Sequence, residues 1–179
     1  MDLLTPDLRQ RLLANAIAHH EAMQHGIAEP DPAPVVKFFN PCGAATWLFS
    51  ELDSDGDTLF GLCDLGFGCP ELGSASLAEI ASVTVAFGLK IKRDLHFAAT
   101  HPLTVYAEAA RQHGGIVEND TNLAQAAQRL ARERNPLAPS IPPDGDKSLH
   151  TERPRAGFPG PASTAPQDAP EAGPPSMME

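Results

Sequence analysis

The sequence predicts an α+β fold: a small antiparallel β-meander packed with helices, followed by a disordered proline-rich C-terminal tail. Three observations carry this prediction. Apolar residues recur at helical spacing near the start of the chain and again beyond residue 100, whereas the stretch between is made of short runs rich in β-branched and aromatic residues. The connections between those runs are too short for the crossovers that a parallel sheet needs. Eleven of the 18 prolines lie at or after Pro136, where large apolar residues are nearly absent, so residues 136–179 cannot offset the entropy of ordering themselves.

The first element spans residues 5–25. Leu8, Leu12, Leu13 and Ile17 fall at helical spacing, with Thr5 as the cap, Pro6 at the first helical position and Gly26 as the stop. The segment from Glu29 to Pro34 is then a stiff extended connector, because its three prolines fix φ and restrict the residues before them. Residues Val35–Phe39, Thr46–Leu52 and Thr58–Cys63 read as strands, joined by the turn formers of Asn40–Gly43 and Asp53–Asp57. After a glycine-rich piece and a brief extended segment, Ser76-Leu-Ala-Glu79 has the pattern of a capping box opening a short helix over Leu77 to Val83. Residues Ile91–Phe97 alternate and predict one more strand. Helices follow over Pro102–His113, ended by Gly114-Gly115, and over Thr121–Arg134, where Leu123, Ala127 and Leu130 share a face. The expected organisation is a compact α+β domain over 1–120, with the sheet and its helices in 34–115, a C-terminal helix over 121–135, and the tail.

The chain contains no run approaching the roughly 18 apolar residues of a membrane helix. Its start, with Asp2 and Asp7 around Leu3 and Leu4, has neither the basic segment nor the apolar run of a signal peptide. Three cysteines at irregular spacing, Cys42, Cys63 and Cys69, suit a reducing compartment. The cytoplasm is therefore the expected location. The formal net charge is −10, and between Asp31 and Asp120 twelve acids face only Lys37, Lys90, Lys92, Arg93 and Arg111. Such a surface disfavours broad binding to nucleic acid, which would require a local basic patch or a metal.

Asp53, Asp55 and Asp57 resemble the opening of a calcium loop, but Thr58 stands where that loop needs glycine and Asp64 where it needs glutamate; a polar hairpin turn explains them. Cys63 and Cys69, with His96 and His101 downstream, are spaced more widely than structural zinc ligands. Gly61, Gly66, Gly68 and Gly73 form neither dinucleotide nor phosphate-loop motifs and read as bulge and turn positions. The most suggestive segment is Ile91–Phe97. On a strand, period-two geometry would put Lys92, Asp94 and His96 on one face, and an aspartate beside a histidine is what a general base or a metal ligand requires. Asp64 and Glu71 are the carboxylates that would complete such a site. Arg93, between apolar neighbours, is expected to clamp one of those two carboxylates. No serine or cysteine stands in a known nucleophile motif.

Several blocks in order, Pro34-Val-Val-Lys-Phe-Phe-Asn-Pro, Ala45-Thr-Trp-Leu, Glu51-Leu-Asp, Phe60-Gly-Leu-Cys-Asp-Leu-Gly-Phe-Gly, Pro70-Glu-Leu-Gly, Ser76-Leu-Ala-Glu and Arg93-Asp-Leu-His-Phe, resemble the bacterial family catalogued as domain of unknown function 2958. The resemblance runs from about Leu3 to Val117 and leaves out the tail. It implies a setting on plasmids, conjugative elements and phages and supplies no activity. Val83-Thr-Val-Ala-Phe-Gly88 departs from it, since relatives resemble an arginine-containing loop there.

The leading expectation is a non-enzymatic accessory protein of a mobile genetic element that binds a protein partner and needs no cofactor. The alternatives are a metal-assisted hydrolase or nuclease acting on DNA, with Asp94, His96, Asp64 and Glu71 around a divalent ion, and an acidic mimic of DNA that occupies a defence protein.

Overall fold

The computed structural model describes residues 2–135; the tail expected over 136–179 lies outside the described residues. The elements follow in the order α1 (Pro6–His25), β1 (Val36–Phe39), β2 (Thr46–Leu52), β3 (Thr58–Asp64), β4 (Glu71–Ser76), α2 (Leu77–Ser82), β5 (Lys92–Arg93), α3 (Leu103–His113) and α4 (Asp120–Arg134). The five strands form one antiparallel sheet in the order β4-β3-β2-β1-β5. The expected meander is therefore present. It gains β5 at its far edge. None of the described helices is long and apolar enough to cross a membrane.

Local chemistry sets most element ends. Thr5 Oγ1 accepts the Leu8 N–H, and Gly26, at φ +62°, closes α1 in a left-handed conformation that costs a residue without Cβ nothing. Asp55 turns β2 into β3 by accepting the N–H groups of Asp57 and Thr58 and the Thr58 hydroxyl. The three contacts hold its carboxyl below the ordinary range, the Thr58 hydroxyl foremost. Ser76 caps α2 through Glu79 N–H, as expected of a capping box. Asp57 adds a second carboxylate at that end, accepting from the Ser76 hydroxyl and the Ala78 N–H.

The sheet buries both faces. On one side Val36, Phe38, Trp47, Phe49 and Leu59 pack with Leu12 of α1 and Ile80 of α2; Phe38 and Phe49 meet edge to face at 5.6 Å. On the other, Leu48 and Leu62 pack against Leu103, Tyr106, Ala109 and Ala110 of α3 and Leu123 and Ala126 of α4. Ile17, expected on the apolar stripe of α1, is 57% exposed. The ladder of β2 and β3 slips between Phe49 and Glu51, a bulge at Ser50. Below it, Phe49 lies opposite Gly61; above it, Glu51 pairs with Phe60 and Leu52 with Leu59. Leu52 thereby joins the core that holds Phe49, and by strand alternation Glu51 turns to the other side.

The strand expected over Ile91–Phe97 is corrected to the two residues of β5. Asp94 still donates its N–H to Lys37 O. Its Oδ1 then accepts the His96 N–H at 2.9 Å, and the chain turns away from the sheet.

Candidate functional site

That turn rearranges the predicted pair. Asp94 touches His96 through the histidine's backbone amide, and the imidazole is exposed. Asp94 Oδ2 lies 3.4 Å from Lys37 Nζ, which also donates to Glu118. The His96 N–H first, and then the Lys37 ammonium, hold the Asp94 carboxyl below its ordinary value against partial burial. Asp64 sits elsewhere: it is buried at the end of β3, where Oδ1 accepts Gly66 N–H and Oδ2 accepts Ile116 N–H. It joins two loops. Glu71 is exposed at the start of β4. The register carries Asp64 to Thr46, Phe39 and Lys92, so three strand spacings, about 14 Å, separate Asp64 from β5. Arg93, expected to clamp Asp64 or Glu71, donates instead to Leu3 O at 3.1 Å. Among the described residues no three His, Cys, Asp or Glu side chains gather in a way that would hold a metal ion, so neither the Asp94 set nor Cys63, Cys69, His96 and His101 forms one cluster.

A carboxylate–imidazole pair exists at a place where it was not sought. His19 of α1 presents Nδ1 to both oxygens of Glu51, at 3.1 and 3.2 Å, and Nε2 to Glu29 at 3.4 Å. Asn15, one helical turn earlier, donates to Ser50 O at 2.8 Å. The hydrogen bond to Glu51 foremost, with the charges of Glu51 and Glu29, raises the His19 pKa above its ordinary value against the effect of burial. Both ring nitrogens face carboxylates, which makes the group a strap between α1, β2 and the connector. A single signal in the sequence could have found it: Glu51 is an acid inside a strand that is otherwise buried, and such a group must find a partner. The bulge that aims it is invisible without the register.

A third buried carboxylate, Glu108 of α3, is met by Arg111, Gln112 and Arg129. Burial pushes its pKa up, but Gln112 and the two arginines outweigh that and hold it below the ordinary range.

A groove of about 680 Å³ lies beside β5, lined by Asp2, Leu3, Ala81 and residues Gly88–Arg93 and Leu95. Gly88 and Leu89, the end of the segment Val83–Leu89, form part of its wall. A bridge pairs Thr84 with Lys90, Val85 N–H bonds Leu89 O, and the tip holds Phe87 at φ +61° with its ring 94% exposed. A left-handed conformation is costly for a side chain of that size, of order 1 kcal/mol. Val83, Leu89 and Leu95 are also exposed. Lys90 Nζ donates to Ser82 O, and Lys92 extends into solvent on β5. The apolar wall and the basic rim thus face one groove. Val83–Gly88 carries no arginine, and the positive charge on the groove comes from the residues just after it.

No curated protein and no solved structure matches the chain. The profile of one family matches residues 3–117, which cover α1, the whole sheet, α3 and the lining of the groove apart from Asp2. The chain belongs to the family described as "Protein of unknown function (DUF2958)".

Proposed function

We propose that this chain is a non-enzymatic accessory protein of a mobile genetic element, and that its folded domain is a protein-interaction module working through the groove beside β5. One observation carries the reading: Leu89 and Leu95, both exposed, line one concavity, and the segment that leads into it leaves Val83 and Phe87 exposed as well, with Phe87 in a strained backbone conformation. Apolar side chains grouped in this way mark contact surfaces, because burying each against a partner gains roughly 25 cal/mol per Å² of apolar area. The association with a mobile element is supported by the family resemblance. The metal-assisted alternative lacks comparable support, since its four residues are dispersed over β3, β4 and the turn after β5.

The test is affinity capture from cells carrying the gene, using the full chain and a Phe87→Ser/Leu89→Ser variant whose unfolding midpoint matches the parent. A stoichiometric partner retained by the parent and lost by the variant is expected. Equal capture by both would remove the groove from the account. Capture of nothing, combined with stoichiometric zinc, manganese, magnesium or calcium binding in a calorimeter that Asp94→Asn abolishes, would move the reading to the metal-assisted one.

A further inference from the structure

We propose that the groove receives an extended acidic segment of the partner protein, laid along the outer edge of β5; this rests on the interaction reading above. The argument is charge complementarity. Across Asp31–Asp120 five basic residues stand against twelve acids. Two of the five are already neutralised: Lys37 pairs with Asp94 and Glu118, and Arg111 with Glu108. The other three, Lys90, Lys92 and Arg93, lie within four consecutive positions on the groove, and none has a carboxylate within ion-pair distance among the described residues. Lys90 and Arg93 donate only to main-chain oxygens, of Ser82 and Leu3. In a chain of net charge −10 this is a concentration of unpaired positive charge, and Asp2 is the one acid lining the same groove. An acidic segment is drawn to this rim and held off by the acidic surface around it, which confines it to the groove, whereas a basic segment is repelled at the rim itself.

The backbone favours an extended occupant. In an antiparallel ladder hydrogen-bonded pairs alternate with outward-facing ones. Asp94 N–H bonds Lys37 O, so the intervening Arg93 turns its own N–H and C=O away from β1, toward the open side of the sheet. β5 is the last strand of the sheet, and an edge of this kind offers main-chain pairing to an added segment. Leu89 and Leu95 flank that edge and would receive the segment's apolar side chains, while Lys90 and Lys92 meet its carboxylates.

Fluorescence anisotropy with the full-length chain tests this. The probes are a labelled peptide of about ten residues alternating Glu or Asp with Val or Leu, the same peptide with Lys for each acid, and an oligothymidylate of about the same length. The acidic peptide is expected to bind, about tenfold more weakly at about 300 mM than at about 20 mM NaCl, and to lose about tenfold in affinity on Lys90→Glu/Lys92→Glu; the lysine peptide, drawn only to the acidic surface elsewhere, should bind more weakly and lose nothing on that substitution. Lys90→Gln/Lys92→Gln, which only removes charge, should fall between. Acidic-peptide binding that is indifferent to these substitutions, or preference for the lysine peptide, overturns the proposal. Tighter oligothymidylate binding through the same lysines would overturn it in favour of single-stranded nucleic acid, with Phe87 as a stacking platform. If the peptide fails while capture still depends on Phe87 and Leu89, the acidic partner is wrong and the interaction face stands; if both fail, the interaction reading falls as well.

Discussion

Gly61 and Gly73 are register partners on adjacent strands, and the structure predicts opposite outcomes when each becomes alanine. A Cβ built on Gly61 would lie 2.0 Å from Leu48 O and 2.7 Å from Phe49 Cα, both backbone atoms of β2. Ordinary contact begins at 3.4 Å, so β2 would have to retreat by about 1.4 Å, the difference between those two distances. A ladder bond of about 2.9 Å stretched that far is no longer a hydrogen bond. Losing two of them costs about 2 kcal/mol, and the strain forced on Phe49 and Leu48 in the core adds about 1–3 kcal/mol. Alanine recovers about 0.4–1 kcal/mol by restricting the unfolded chain. The net expectation for Gly61→Ala is a loss of about 3 kcal/mol, a large part of the roughly 5–15 kcal/mol that holds a domain together. At Gly73 a Cβ meets nothing within 4 Å and φ is not positive, so Gly73→Ala should be neutral or stabilising by up to about 1 kcal/mol. Urea unfolding of the full chain followed by circular dichroism measures both. If the two variants agree within about 0.5 kcal/mol, the bulge has not forced β2 onto Gly61 and the register is wrong.

Three further outcomes follow from the buried charges and thiols. Because the folded-state pKa of His19 lies above its unfolded value, its strap is at full strength below about pH 6.5 and weakens as pH rises through the folded value; the stability difference between parent and His19→Gln should be larger at about pH 5.5 than at about pH 8.5 in paired urea titrations. Burial pushes the Cys63 thiol up to about 11 while Cys42 and Cys69 are exposed, so two thiols should react promptly with a disulfide reagent at about pH 8 and the third only in denaturant; three equal rates would contradict the placement of Cys63. Replacing Glu108 by alanine removes charged hydrogen bonds to Arg111 and Gln112 and should cost about 1.5–3 kcal/mol in thermal or urea unfolding, whereas Glu71→Ala, at an exposed position, should lie within about 0.5 kcal/mol of the parent.

The elements that could be read in advance are those whose cause is local. Thr5, Pro6 and Gly26 bracket α1 by chemistry confined to one turn at each end, and the hairpin Asp53–Thr58 is closed by its own aspartates. The strand read over Ile91–Phe97 shows the limit. Its alternation is real, yet β1 is only four residues long. Continuing the register past Asp94 opposite Lys37 would make His96 opposite Val35 the next bonding pair, and the Val35 N–H is already given to Phe49 O at 2.8 Å. With nothing to pair, Asp94 takes the His96 amide and the predicted Asp–His face dissolves.

The order of elements, the meander, the capping residues and the acidity of the chain were determined by the sequence alone, because each is set by neighbours a few positions apart or by composition. Which charges are satisfied was decided by the tertiary structure. Register and the Ser50 bulge bring Glu51 to His19, and folding brings Glu118 and Asp94 to Lys37, contacts between residues far apart in the chain. A slip of one residue along a strand moves every side chain to the opposite face. The unpaired basic rim of Lys90, Lys92 and Arg93 is what remains after those pairings are made, and it becomes visible only once the other charges have found their partners.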